Sequence, residues 1–325
     1  MDAKPKQKLI IITGPTGAGK TKISIEIAKR IDGEIISADS VQVYRGMDIG
    51  SAKITKEEMQ GIPHHLIDVL DPEENFDVTI FQKMAEDAIA DIASRGRIPI
   101  LVGGTGFYVQ ALRKGVDFKD EEDGRGEIRK SLEEEAASLG KEAFHDKLKE
   151  IDQVSFEKIP AGNIKRVVRA LEFYQIHGYP ISEHNETEKL KISRYDDVCF
   201  VLTNERSRLY DAINRRVDQM VNDGLINEVR RLKERGLTRE NQSMLGIGYK
   251  EVMEYLDGEI SEEEAVEKIK LNTRHFAKRQ FTFFKALPDV IWYDKSDYEN
   301  PDMEIAEDML KRIEQMGIEI KNTPG

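Results

Sequence analysis

One stretch near the N-terminus, Lys8 to Thr21, restricts this chain more than any other. The apolar run Leu9-Ile10-Ile11-Ile12 leads, through Thr13, into Gly14-Pro15-Thr16-Gly17-Ala18-Gly19-Lys20-Thr21. A glycine, four residues and then Gly-Lys-Thr is the spacing of a phosphate-cradling loop. Glycines let the backbone turn tightly enough to aim several N–H groups at one anion, and a helix beginning near Gly19 adds its positive end. In such a loop Lys20 reaches the terminal phosphates and the Thr21 hydroxyl holds a magnesium ion (Mg2+). A β-branched strand precedes the loop, and the helical pattern of Ile23, Ile27, Ala28 and Ile31 follows it. The ligand therefore carries a di- or triphosphate.

The alternation continues beyond this unit. Glu34 to Ser40 reads as a short strand ending in an acid, Asp39. Ligands of open α/β sheets sit beyond the carboxyl ends of the strands, so Asp39 is expected at the phosphate crevice. Three roles are open to it: a magnesium ligand through water, a general base, or a cap on the next turn. The polar stretch Val41 to Lys53 is a candidate ligand-binding loop. A strand is expected between Ile62 and Pro72, with His64 and His65 serving packing and hydrogen bonding, since no third metal ligand is nearby. Phe76 to Ser94 carries Ile80, Met84, Ala88 and Ile92 at helical spacing, and Ile98 to Val102 is another buried strand. That strand ends in Gly103-Gly104-Thr105-Gly106, where glycine permits either a ligand's close approach or a tight turn. Strand, helix and strand in alternation predict a parallel sheet with right-handed crossovers.

From Gly115 to Lys191 helical segments replace strands. The expected organisation is a catalytic core of residues 1–115 and 192–325 interrupted by a helical insertion domain, residues 116–191. Within the insertion, Lys165-Arg166-Val167-Val168-Arg169 places Ile164, Val168 and Leu171 on one helical face, and Lys165, Arg169 and Glu172 on another. Asp196 to Asn204 returns to the sheet. Arg206 to Arg235 forms a long helical region with Leu209, Ile213, Val217 and Met220 as its stripe. Beside that stripe lies Arg216, which either reaches inward to an anion or is an ordinary surface arginine. Further on, Lys270, Arg274 and Lys278 recur every four residues beside Arg279 and several phenylalanines. A basic face interleaved with aromatics suits a phosphodiester backbone with unstacked bases. Asp289 to Tyr293 is the final strand.

Charge and cysteine usage narrow the classes further. A net charge of -12 argues against a protein that coats nucleic acid indiscriminately, although the block around Lys278 is locally basic. The single cysteine, Cys199, excludes a disulfide framework and a cysteine-based zinc site. With no signal-like segment and no apolar run of membrane-spanning length, a cytoplasmic protein without membrane partners is expected. The fold class is α/β: a P-loop nucleotide-kinase-like parallel sheet with helices on both faces and a helical insertion domain. Taken alone, these residues suggest a kinase in which Lys20 and magnesium transfer a phosphoryl group while Asp39 orients the acceptor. A kinase of small metabolites has no use for the basic, aromatic face.

Asp39 to Lys53, Ile62 to Asp68, Gly103 to Gly106, Lys165 to Glu172, Gly246 to Glu251 and Thr273 to Lys285, together with the phosphate loop, resemble the bacterial tRNA dimethylallyltransferase family. The resemblance spans nearly the whole chain; Phe283 stands where the family commonly has tryptophan. It implies transfer of the dimethylallyl group of dimethylallyl diphosphate to the exocyclic amine of the adenine immediately 3′ of the anticodon, in tRNAs reading codons that begin with U, with release of diphosphate. By the same resemblance Gly14 to Thr21 hold the diphosphate, Thr21 a magnesium cofactor, and Lys20 and Arg216 assist departure. Asp39 is then the general base, and Ser40, Val41, Gln42 and Thr105 surround the adenine. Lys165, Arg166, Val167, Val168 and Arg169, with Arg274, Lys278 and Arg279, hold the anticodon stem-loop of the tRNA; a tRNA-sized partner and a basic groove are compatible with a monomer. Related transferases that act on free adenine nucleotides need neither the insertion nor the basic helix. A non-catalytic RNA-binding module would leave Lys20 and Asp39 without purpose.

Overall fold

The computed structural model describes residues 5–115 and 125–321. In chain order the first elements are β1 (Lys8–Thr13), α1 (Lys20–Ile31), β2 (Gly33–Ser37), α2 (Lys56–Met59), β3 (His64–His65), α3 (Val78–Ser94), β4 (Ile98–Gly103) and α4 (Gly106–Lys114). Helices follow: α5 (Arg125–Leu139), α6 (Lys141–Asp146), α7 (Leu148–Ile151), α8 (Gln153–Lys158), α9 (Ile164–His177) and α10 (Ile181–Leu190). The chain closes with β5 (Asp196–Thr203), α11 (Arg206–Asn222), α12 (Leu225–Glu234), α13 (Tyr249–Leu256), α14 (Glu262–Lys285), β6 (Val290–Asp294) and α15 (Pro301–Gln315). Contacts divide it into two compact units, Met1–Arg113 with Arg194–Gly325, and Lys114–Ser193.

The first unit is built on a parallel sheet of order β3-β2-β4-β1-β5-β6. Its central strand explains the layers. Successive side chains of a strand point to opposite faces. Leu9 and Ile11 accordingly enter a core with Phe81, Ala85, Ile89, Val217 and Val229, from α3, α11 and α12. Ile10 and Ile12 enter another with Ile23, Ile27, Met309 and Ile313, from α1 and α15. All four strand residues are fully buried, which accounts for their continuous apolar run. The chain leaves β1 toward β2 on one side, whereas β5 and β6 lie on the other. β1 is thus the point where strand order reverses, and the loop after it opens on the crevice such sheets use for ligands.

One element differs from expectation, and one helical region is resolved into two helices. The strand predicted within Ile62 to Pro72 is only His64–His65, because Leu66 and Asp68 adopt left-handed backbone angles that end it. Its histidines are hydrogen-bonded within the protein: His64 Nδ1 to the Ile62 carbonyl at 2.8 Å, and His65 Nε2 to Glu34 at 2.7 Å. Glu34, 1% exposed, also binds Arg95 and Arg97, and the Arg95 guanidinium, foremost, holds its pKa down at about 2. This cluster fastens the short edge strand. The region from Arg206 to Arg235 is two helices, α11 and α12, parted at Gly224 with φ 101.

The second unit has its own core of Leu132, Phe144, Leu148, Val167, Val168 and Leu171. Val167 and Val168 are 0% and 2% exposed, so their side chains belong to that core and are not available to RNA. Glu172, expected on the face of α9 opposite the apolar one, is 1% exposed and paired with Arg129 at 3.0 Å. Lys165 and Arg166 remain exposed. Among the described residues, no helix is long and apolar enough to cross a membrane.

Candidate active site

The loop after β1 is shaped by its neighbours. A Cβ on Gly14 would lie 2.1 Å from the Leu202 carbonyl oxygen, and its φ of 138 is one that L residues rarely adopt. Gly19, with φ 77, is the cap residue from which α1 starts at Lys20. A crevice of about 640 Å³ opens here, lined by Thr16, Gly17, Gly19, Lys20 and Thr21. Gly14, Pro15 and Ala18 shape the loop without lining the crevice. Lys20 Nζ donates to the Gly14 and Pro15 carbonyl oxygens at 2.8 and 2.9 Å. Burial, foremost, and the nearby Arg216 charge lower its pKa to about 7, against the opposing pull of Asp39.

Asp39 follows β2 and lines the same crevice. Its Oδ1 accepts from the Val41 and Gln42 N–H groups at 2.9 and 3.2 Å. The carboxylate therefore caps the turn, while Oδ2 makes no hydrogen bond among the described residues. Ser40, Val41, Gln42 and Thr105 also line the crevice, as does Arg216. Although water reaches Arg216, the protein packed around it lowers its pKa, with Asp39 acting in the opposite direction. Ile213, Val217, Met220, Leu245 and Ile269 add apolar surface.

The loop between Asp39 and Lys53 is held by a residue that sequence reasoning missed. Glu228 of α12, 3% exposed, accepts from the N–H groups of Asp48, Ile49 and Gly50 at 2.9, 2.8 and 3.0 Å, and from the Tyr249 hydroxyl at 2.8 Å. Lys53, at the end of this loop, buries its ammonium group against the Tyr44 carbonyl, Asp48 and Asp68. Gly50, Ser51 and Ala52 are thereby presented to the crevice.

On α14 the basic residues separate. Arg279 lines the crevice with Phe276, its guanidinium 5.7 Å from that ring. Arg274 donates to Asn214 of α11 at 2.7 Å, and Lys270 pairs with Asp218 at 2.8 Å, so neither lines it. Lys278 is exposed and makes no ion pair among the described residues. The glycines at the end of β4 answer to protein neighbours: a Cβ on Gly103 would lie 2.2 Å from the Ala38 carbonyl oxygen, and one on Gly104 2.3 Å from Gln280 Nε2. Phe283 lies against Gly106, where a Cβ would lie 2.3 Å from its ring.

The profile of the family described as IPP transferase matches residues 42–287. The chain belongs to the IPP transferase family. A second profile, described as Isopentenyl transferase, matches only residues 7–75, the part with the phosphate loop and Asp39. The tRNA dimethylallyltransferase of Lachnoclostridium phytofermentans is 52% identical over 312 residues, covering 96% of this chain and 99% of that one. That of Halalkalibacterium halodurans is 48% identical over 95% and 99% of the two chains. Among solved structures, the full-length tRNA isopentenylpyrophosphate transferase from Bacillus halodurans superposes with a TM-score of 0.70 at 47% identity, covering 96% of this chain and 98% of that one. A eukaryotic dimethylallyltransferase acting on tRNA gives a TM-score of 0.77 at 29% identity, over 94% and 80% of the chains. The IPP transferase match runs from just after Asp39 through the second unit to α14.

Proposed function

We propose that this IPP transferase family member transfers the dimethylallyl group of dimethylallyl diphosphate to the exocyclic amine of the adenine 3′ of the anticodon in tRNA, releasing diphosphate. The observation that carries this reading is the convergence of an anion-binding side, an acceptor side and an apolar surface on one crevice of a chain with such relatives. At the anion-binding side, the loop N–H groups, the start of α1, Lys20 and Arg216 meet the charge that grows on the leaving diphosphate. A hydroxyl joined by phosphate oxygens is a hard oxygen donor set that suits Mg2+, and the Thr21 hydroxyl, on a residue exposed at the crevice, makes no hydrogen bond among the described residues. When bound there, the ion supplies Lewis-acid stabilisation of the diphosphate.

Asp39 occupies the acceptor side. As the bond from the allylic carbon to the diphosphate oxygen breaks and the bond to the adenine nitrogen forms, Oδ2 accepts the amine proton. Its Oδ1 contacts with Val41 and Gln42 hold the carboxylate in one orientation. Ile213, Val217 and Met220 offer an apolar seat for the five-carbon group. The target base leaves the anticodon-loop stack to enter, with Ser40, Val41, Gln42 and Thr105 around it. Lys165, Arg166, Arg274, Lys278 and Arg279 contact the RNA backbone.

Incubation of the pure protein with magnesium, labelled dimethylallyl diphosphate and either unmodified tRNA or AMP tests the reading. Label is expected in tRNA, at the adenine 3′ of the anticodon after digestion. Label in AMP alone, or in neither, overturns it.

A further inference from the structure

Gln280 is a buried polar side chain on the apolar stripe of α14, between Ala277 and Phe284 and only 7% exposed. Both ends of its amide are used. Oε1 accepts from the Thr16 N–H of the phosphate loop at 2.9 Å, and Nε2 donates to the Gly104 carbonyl oxygen at 2.9 Å. One side chain thus ties together the loop after β1, the loop after β4 and the helix that carries Arg279 and Lys278. Gly104 accommodates it only because it lacks a Cβ, which would lie 2.3 Å from Nε2.

We infer that Gln280 is a positioning residue that holds the diphosphate loop and the adenine-side loop in register with each other and with α14. The inference rests on the proposed transfer reaction. Diphosphate contacts the loop containing Thr16, and the acceptor base lies beside Thr105, the residue after Gly104. A displacement of either loop misaligns the allylic carbon with the amine, and misalignment of reacting atoms acts on turnover more than on affinity. Because Gln280 is one residue from Arg279, RNA seated on that part of α14 is referred to the same frame.

Gln280→Met keeps the volume and removes both hydrogen bonds, leaving Thr16 N–H and Gly104 C=O unpaired. Gly104→Ala disturbs the same contact from the other side. For each variant, folding is checked by thermal melting, Mg2+–inorganic diphosphate affinity by calorimetry, tRNA affinity by anisotropy, and kcat and KM by label transfer. The expected result is diphosphate binding weakened about tenfold, from the loss of these buried hydrogen bonds. kcat is expected to fall roughly a hundredfold, with tRNA affinity within about twofold of the parent. The double variant is expected to fall little below Gln280→Met, because both substitutions break one contact. Parental diphosphate affinity and kcat in a folded variant, tRNA affinity lost in step with turnover, or fully additive effects would each overturn the assignment. If one variant does not fold, the other decides. The diphosphate titration reports on Gln280 even if the parent transfers no label, an outcome that overturns the transfer reading instead.

Discussion

The ammonium group of Lys20 is folded back onto its own loop, donating to the Gly14 carbonyl oxygen at 2.8 Å. It loses hydration there, and its pKa falls from 10.5 to about 7. Between those values the unfolded chain holds a proton that the folded chain lacks, so this group makes stability rise with pH across that window and imposes a constant penalty below it. Lys20→Met is therefore expected to raise the melting temperature of the unliganded protein at pH 7 by about 2–4 °C while abolishing turnover. An unchanged or lower melting temperature would contradict the buried charge. Diphosphate favours the charged form, so its binding should take up a proton and weaken above pH 7, which calorimetry in buffers of different ionisation enthalpy would reveal.

Asp39 caps the turn with Oδ1, and in the proposed reaction Oδ2 accepts the proton, so the two tasks are separable. Asp39→Asn keeps an oxygen for Val41 and Gln42 but is not basic. Both Asp39→Asn and Asp39→Ala are expected to lower kcat by about 10²–10⁴ with tRNA affinity largely retained. The alanine variant should in addition melt at lower temperature. Loss of tRNA binding with the rate kept at saturation would remove the base assignment.

Lys278 and Lys270 lie on one helix but not in one environment. Lys270 is held by Asp218 and Glu267, whereas Lys278 is exposed and unpaired among the described residues. Lys278→Ala is expected to raise the KM for tRNA and reduce the salt dependence of binding by about one counterion. Lys270→Ala should leave that slope nearly unchanged, and equal slopes for the two variants would count against the distinction.

Glu228 is surrounded by donors, three N–H groups and one hydroxyl. Glu228→Ala leaves them unpaired and is expected to cost about 3–5 kcal/mol in denaturant unfolding. Glu228→Gln should be little better, because its amide turns donors toward donors. Tyr249→Phe removes one contact and should cost about 1 kcal/mol. A fully stable glutamine variant would show that the carboxylate is not required.

Elements with a strong local period were legible from residue order. The apolar run at Leu9 to Ile12, the loop spacing from Gly14 to Lys20 and the stripe of α1 each report a structure formed by neighbours in the chain. The strand boundary that failed was set by single backbone angles: Leu66 and Asp68 end β3. Within the expected helical region Gly224 separates α11 from α12. Val167 and Val168 were assigned toward RNA by resemblance; the packing of α9 against α5 put them in a core instead.

From the sequence alone came a parallel α/β sheet, a glycine-rich loop after its first strand, an acid near that loop and the family. Those are properties of short segments, encoded by spacing and side-chain type. Only the tertiary structure decided which cations face the crevice, that Glu228 holds the loop before Lys53, and that Gln280 joins Thr16 to Gly104. Thr16 and Gln280 stand 264 positions apart, and their contact exists because the strand order brings β1 beside β4 and lays α14 against both loops. No local pattern contains that information, since it arises from the burial of many distant side chains at once.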